Sequence, residues 1–184
     1  MEDDEMPDRE RAKQIIAEIV RVCGTCPSKT TLYKAFYFAH LYYAKRGPGY
    51  LSDWPIVKMP FGPGIDQGDE LLDELTRAEV LRPKTCSVGP FNAVQYSAAC
   101  PGVPESLSLE AISAIREAVD FVKDKSAGEL TALTHEFSRS WNEAALGEEL
   151  NLYADISPQA VYDRRARTSE RLDAALAASW PTEH

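Results

Sequence analysis

Apolar residues recur at three- and four-residue steps between Arg9 and Cys23, at Ala12, Ile15, Ile16, Ile19, Val20 and Cys23. This period puts them on one face of an amphipathic helix. Gly24 follows where a helix end favours a left-handed residue, and Pro27 stops the helix from running on. Ser28 then caps a second helix to about Arg46. Here the pattern changes. Leu32, Phe36, Ala39 and Tyr43 make one stripe, Tyr33, Tyr37 and His40 the next, and Phe38 and Leu41 lie on another side between Lys34 and Lys45. Of the 17 aromatic residues, eight fall between Tyr33 and Trp54. A helix that is apolar around most of its circumference is one surrounded by protein. The pattern therefore predicts a central aromatic helix.

Gly47-Pro48-Gly49 breaks that helix. Pro55 to Met59, with β-branched Ile56 and Val57, predicts a short strand, and Pro60-Phe61-Gly62-Pro63-Gly64 a rigid turn after it. A helix over about Asp66 to Glu79 would bury Leu71, Leu72, Leu75 and Ala78. Leu81 to Val88 and Phe91 to Ala98, joined through Gly89-Pro90, read as a small hairpin. A loop with Pro101, Gly102 and Pro104 leads to a helix from about Ser108 to Lys125, with Ala111, Ile112, Ile115, Val119 and Val122 inward. Ser126-Ala127-Gly128-Glu129 fits a capping box and starts a shorter helix through His135. Ser140-Trp141-Asn142-Glu143 fits the same pattern for a further short turn. Ser157-Pro158 opens a last helix, with Val161, Thr168, Leu172, Ala175 and Leu176 on one stripe. The expected fold is mainly α, in the α+β class: a compact bundle of about six to seven helices around the aromatic one, with a short strand and a small β-hairpin.

A length of 184 residues suits one domain. The net charge of −9 is concentrated at the start, where Glu2, Asp3, Asp4, Glu5, Asp8 and Glu10 face Arg9 alone. Residues 1–8 therefore read as a disordered acidic N-terminus. The rest is close to neutral for its size, without the basic face that phosphate contacts require, so nucleic acid is not an expected partner. Arg164, Arg165, Arg167 and Arg171 are the one dense basic cluster, offset by Asp163, Glu170 and Asp173. They read as a solvated helix face, with phosphate contact the weaker reading. The most apolar stretch, Ala35 to Ala44, is far shorter than the roughly 20 residues that span a bilayer, so no membrane is expected. With no secretory pattern at the start, the cytoplasm is the expected compartment.

Cys23-Gly24-Thr25-Cys26 has the two-residue spacing of redox and zinc sites. A reactive thiolate belongs at a helix N-terminus, whereas Cys23 ends one. Zinc would need two more ligands, and Cys86 and Cys100 do not stand at a knuckle spacing. The four cysteines read as incidental thiols, and no metal or cofactor is expected. His40 on an aromatic helix reads as a neutral imidazole bonded to a neighbour. Ser138 and Ser140 lack a nucleophile-elbow context, and Gly62 and Gly64 flank a proline rather than lead to a phosphate-binding Lys-Ser pair. No catalytic residue is expected.

Three segments together resemble one family, the Panacea domain of SocA-like antitoxins and phage-associated proteins. Lys34-Ala35-Phe36-Tyr37-Phe38-Ala39-His40 is similar to its lysine-plus-aromatic helix, Phe61-Gly62-Pro63 to its aromatic-Gly-Pro turn, and Leu133-Thr134-His135 with Trp141 and Ala144 to its late signature. Order and spacing agree from about Ile15 to Ala145. Two positions depart: Gly64 stands where a valine often follows the Gly-Pro, and Tyr33 where a polar residue precedes the lysine. The resemblance implies a Panacea-like helical domain over residues 9–150, followed by a helical extension over 151–184 that either packs on the domain or binds a partner. It implies a protein that neutralises a co-expressed toxin by direct binding, in some relatives with presentation of the toxin to a cellular protease, and not an enzyme. A winged-helix-like or phage-associated regulator is the second reading, and an enzyme with a dispersed site the third. Lys34, Phe36, Tyr37, Phe38, His40, Phe61, Gly62, Pro63, Thr134, His135 and Trp141 are the motif residues, either packing the core or lining a groove for the partner.

Overall fold

The structure is a computed structural model that describes residues 8–24, 28–46, 49–88, 91–99 and 107–156. In chain order they form α1 (Asp8–Cys23), α2 (Lys29–Arg46), β1 (Ile56–Met59), β2 (Gly62–Ile65), α3 (Gly68–Arg77), β3 (Leu81–Val88), β4 (Phe91–Ala98), α4 (Leu109–Val122), α5 (Ala127–Phe137) and α6 (Arg139–Glu143), with a 3₁₀ turn at Leu152–Asp155. Helices dominate, and two small antiparallel sheets make the fold α+β.

Local chemistry sets most of the boundaries. Gly24 takes φ +66 at the end of α1, the left-handed conformation that closes a helix. Ser28 Oγ accepts from Thr31 N–H and starts α2, and Ser108 Oγ accepts from Ala111 N–H and starts α4. At Ser126 both halves of the capping box form: its Oγ accepts from Glu129 N–H, and its own N–H donates to Glu129 Oε2.

α2 packs against α1, α4, α5, β2 and β4. Ile15, Ile16 and Ile19 of α1, Leu32 and Phe36 of α2, Leu71 and Leu72 of α3, Ile115 of α4 and Leu130 of α5 are all buried in one cluster. Leu150, Leu152 and Ile156 join the same cluster, so the chain is held to the core through Ile156. The expected helix from Ser157, with its Val161-to-Leu176 stripe and its arginines, lies outside the described residues, as do residues 1–7 of the acidic N-terminus and Cys26 and Cys100. No helix among the described residues is long and apolar enough to cross a membrane.

Four sequence expectations are corrected. The Pro60–Gly64 turn is tighter than expected: Pro60 and Phe61 alone make the reversal, and Gly62–Ile65 runs back as β2, pairing Met59 with Gly62 and Ile56 with Ile65. Pro63 is tolerated there because it faces Lys58 at a pair whose backbone groups point away from the partner strand. The outward Lys58 N–H indeed goes to Glu148 O at 2.9 Å. The helix expected over Asp66–Glu79 is α3, bounded by left-handed Gln67 and Glu79, so Ala78 lies exposed in the closing turn and not in the core. α5 runs on to Phe137, past His135. α6 is capped by Ser138, whose Oγ accepts from Trp141 N–H, and not by Ser140.

Candidate functional site

Three stretches distant in sequence, α2, the β1–β2 turn and α5, meet around one buried ammonium. Lys34 is almost wholly buried on α2, and its Nζ donates to Pro63 O at 2.9 Å. That carbonyl is open because Pro63 sits at the outward-pointing pair of the β1–β2 ladder. Gly62 beside it has φ +103, and a Cβ there would lie 2.7 Å from Lys34 Nζ and 2.5 Å from Thr134 Oγ1. Only a glycine lets the turn pass this close to both helices. Thr134 is buried, with its hydroxyl turned back onto Leu130 O and Thr131 O of its own helix. Thr131 Oγ1 donates to Phe61 O at 3.3 Å, a second tie between α5 and the turn.

At the end of β1, Trp141 Nε1 donates to Met59 O at 2.9 Å. His135 stacks on the Trp141 ring, centroids 3.9 Å apart and 14° from parallel. Lys58 Nζ lies 4.3 Å from the same ring and donates to Ala144 O. The late signature therefore holds the β1–β2 unit at two points, Thr134 against Gly62 and Trp141 on Met59 O.

A cleft of about 300 Å³ opens above Lys34, lined by Lys29, Thr30, Tyr33, Met59 and the Pro60–Pro63 turn. Phe61 stands at this turn with 70% of its surface exposed. Burial lowers the Lys34 ammonium to about 8 from its ordinary value near 10.5. Tyr33 OH donates to Asp69 Oδ1 at 3.1 Å, and Asp69 is ion-paired with Lys29. Burial, helped by the Asp69 charge, pushes the Tyr33 phenol up.

The remaining motif residues lie elsewhere on α2. Phe36 is fully buried and packs on His40 with ring centroids 4.5 Å apart. His40 Nδ1 lies 2.8 Å from Phe36 O, and Nε2 lies 3.1 Å from Ser52 Oγ. The carbonyl can only accept, so Nδ1 carries the proton and Nε2 accepts from Ser52. Burial lowers the His40 value to about 4, which keeps the ring neutral. Phe38 packs edge-on against Phe121 of α4 at 4.8 Å.

Tyr37 enters a network that no sequence motif marks. Its OH donates to Asp155 Oδ2 at 2.6 Å. Ser138 Oγ donates to the same oxygen at 2.9 Å, Ser140 Oγ also donates to it, and Ser140 N–H donates to Asp155 Oδ1 at 2.8 Å. Burial and the Asp155 charge push the Tyr37 phenol up, so it stays a donor. A smaller cavity of about 160 Å³ lies beside this group, between α2 and α5.

Cys86 Sγ donates to Gln95 Oε1 across the β3–β4 hairpin, and no cluster of three or more His, Cys, Asp or Glu among the described residues is placed to hold a metal. Comparison with protein-family models, curated proteins and solved structures finds no match.

Proposed function

We propose that this chain is an antitoxin-type protein of the Panacea kind, a cytoplasmic binder that neutralises a co-expressed toxin by direct contact and performs no catalysis. In this reading α2 is the central aromatic helix of the bundle, the toxin is the cognate partner, and a cellular protease is a second one. The observation that carries the reading is the meeting of its three motif segments. Lys34 bonds Pro63, Gly62 fits against Thr134, and Trp141 bonds Met59 in the strand that leads into the same turn. Residues spread over more than a hundred positions that converge in space support a shared framework over chance matches of short motifs.

The framework also exposes apolar surface where a partner would meet it. Phe61 in the β1–β2 turn and Phe137 at the end of α5 are each 70% exposed. Aromatic side chains are enriched among the residues that dominate binding energy. The order α3, β3, β4 gives the regulator reading its helix and wing. Asp69, Glu70, Asp73 and Glu74 on α3 repel phosphate, and Arg9 and Lys13 on α1 are engaged with Glu74.

The test is co-expression with the product of the adjacent reading frame. The antitoxin reading expects growth arrest by that product alone, rescue by this chain, and recovery of the two proteins as a complex. A neighbour that is harmless alone, or arrest that this chain does not relieve, overturns it.

A further inference from the structure

Two charged side chains are buried among the described residues, Glu18 and Lys34. Buried charges are normally paired, because an isolated ion in a low-dielectric interior is costly. Glu18 obeys the rule: Arg21 grips both of its oxygens, at 2.6 and 2.5 Å. Lys34 does not. An ammonium has three donors, and Lys34 makes one hydrogen bond, to the neutral carbonyl of Pro63, with no carboxylate of the described residues in ion-pair range. Its free side faces the cleft above the Gly62–Pro63 turn.

The rest of the lining says what would complete it. Met59, Pro60, Phe61 and Pro63 are apolar, and Tyr33 is tied to Asp69. Lys29 and Thr30 belong to the first turn of α2, which holds no acidic residue, so the positive end of that helix dipole lies at the rim. The one acid nearby, Asp69, is neutralised by Lys29. About 300 Å³ is at the small end of ligand sites. A dianionic phosphate would want several charged donors here, whereas, with Lys29 already paired to Asp69, the Lys34 ammonium beside the apolar Met59–Pro63 wall matches a single negative charge on an apolar stem.

We propose that this cleft is a binding site for a carboxylate carried on a short apolar stem, with Lys34 Nζ receiving the carboxylate and the Met59–Pro63 turn covering the stem. The inference rests on the cleft alone and stands whether or not the partner is a toxin.

The test is calorimetric titration of the full chain at pH 7 with hexanoate, with its methyl ester, and with N-acetyl-leucyl-leucine as free acid and as amide. The expected result is saturable binding of an acid and at least a tenfold loss in its ester or amide. Lys34→Met, which keeps the apolar stem, should weaken the acid by at least tenfold as well, the loss of one charge-assisted hydrogen bond. Circular dichroism checks that this variant folds; if it does not, the acid and ester pair on the wild-type protein still decides. Tighter binding of the dipeptide acid than of hexanoate assigns the site to a chain terminus, and the reverse order to a free monocarboxylate. Binding should also fade as pH rises through about 8, where Lys34 loses its proton. Lys29, Tyr33 and Asp69 are the other ionisable groups at the cleft, and Thr134 faces Lys34 from α5. No saturable binding by either acid, equal binding of acid and ester, or unchanged affinity in folded Lys34→Met overturns the proposal.

Discussion

Lys34 Nζ occupies the space that a side chain on Gly62 would need, since a Cβ there would lie 2.7 Å from the ammonium. The contact is fixed from both sides. Lys34 is anchored by its bond to Pro63 O, and Gly62 is fixed by its pairing with Met59 in the two-residue reversal. Neither can give way without opening the α2–β2 junction.

Gly62→Ala should therefore destabilise the protein by about 2–4 kcal/mol, combining left-handed strain with overpacking against Lys34 and Thr134. Gly147→Ala is the control. Gly147 has φ +81, and nothing beyond its own residue and its two chain neighbours lies within 4 Å of where its Cβ would stand, so only backbone strain of about 1–2 kcal/mol applies. Urea unfolding of both variants measures the difference. Equal losses would mean that the Lys34 contact contributes nothing.

Phe36→Ala should cost about 3–5 kcal/mol, the usual range for truncating a buried phenylalanine. Phe36 is fully buried, and its ring also packs on His40. Against a total stability of roughly 5–15 kcal/mol, such a loss brings the fold close to failure. A thermal melt near that of the wild type would remove Phe36 from the core.

What the sequence displays, and what it hides, follows from what each feature depends on. The helices and the β3–β4 hairpin are set by period and by local capping, as at Ser126, so the sequence displays them directly. A lysine on an aromatic helix lays its stem on apolar neighbours and reaches for a carboxylate or carbonyl, and for Lys34 that carbonyl is Pro63 O. β2 is hidden because Gly62-Pro63-Gly64 has no strand propensity. It is a strand only through its pairing with β1 and through the outward position of Pro63. Asp155 is hidden for a similar reason: its partners Tyr37, Ser138 and Ser140 are brought to it by the return of the chain across α2 and α6, which no local pattern announces. The burial of Glu18 breaks no helical period either; the one local sign is Arg21 three residues on.

Asp155→Ala should cost about 1–3 kcal/mol, because it leaves Tyr37 and the two serines without their acceptor. Tyr37→Phe removes one donor and keeps the ring, so its cost should be smaller, about 1 kcal/mol. The double variant should cost less than the two losses added together, since the groups share one network. Additive losses in urea unfolding would show that Tyr37 and Asp155 are not coupled.

The last prediction concerns acid. His40 is neutral in the fold, with Nδ1–H on Phe36 O and Nε2 accepting from Ser52, and burial lowers its value from about 6.5 to about 4. Between those two values the unfolded chain binds the His40 proton and the folded one does not. Stability contributed by this group is thus present above about pH 6.5 and lost as pH falls toward about 4, by up to about 3 kcal/mol. Glu74 acts in a lower window. Arg9 and Lys13 hold its carboxyl down to about 2, so its contribution is lost only below its ordinary value of 4.5. Urea unfolding from pH 7.5 down to 5 isolates the His40 part. His40→Gln, which cannot take up the proton, should flatten the pH slope over this range while lowering stability at pH 7.5, where the native imidazole is well satisfied. A variant whose slope matches that of the wild type would place the acid sensitivity outside His40 and its contact with Ser52.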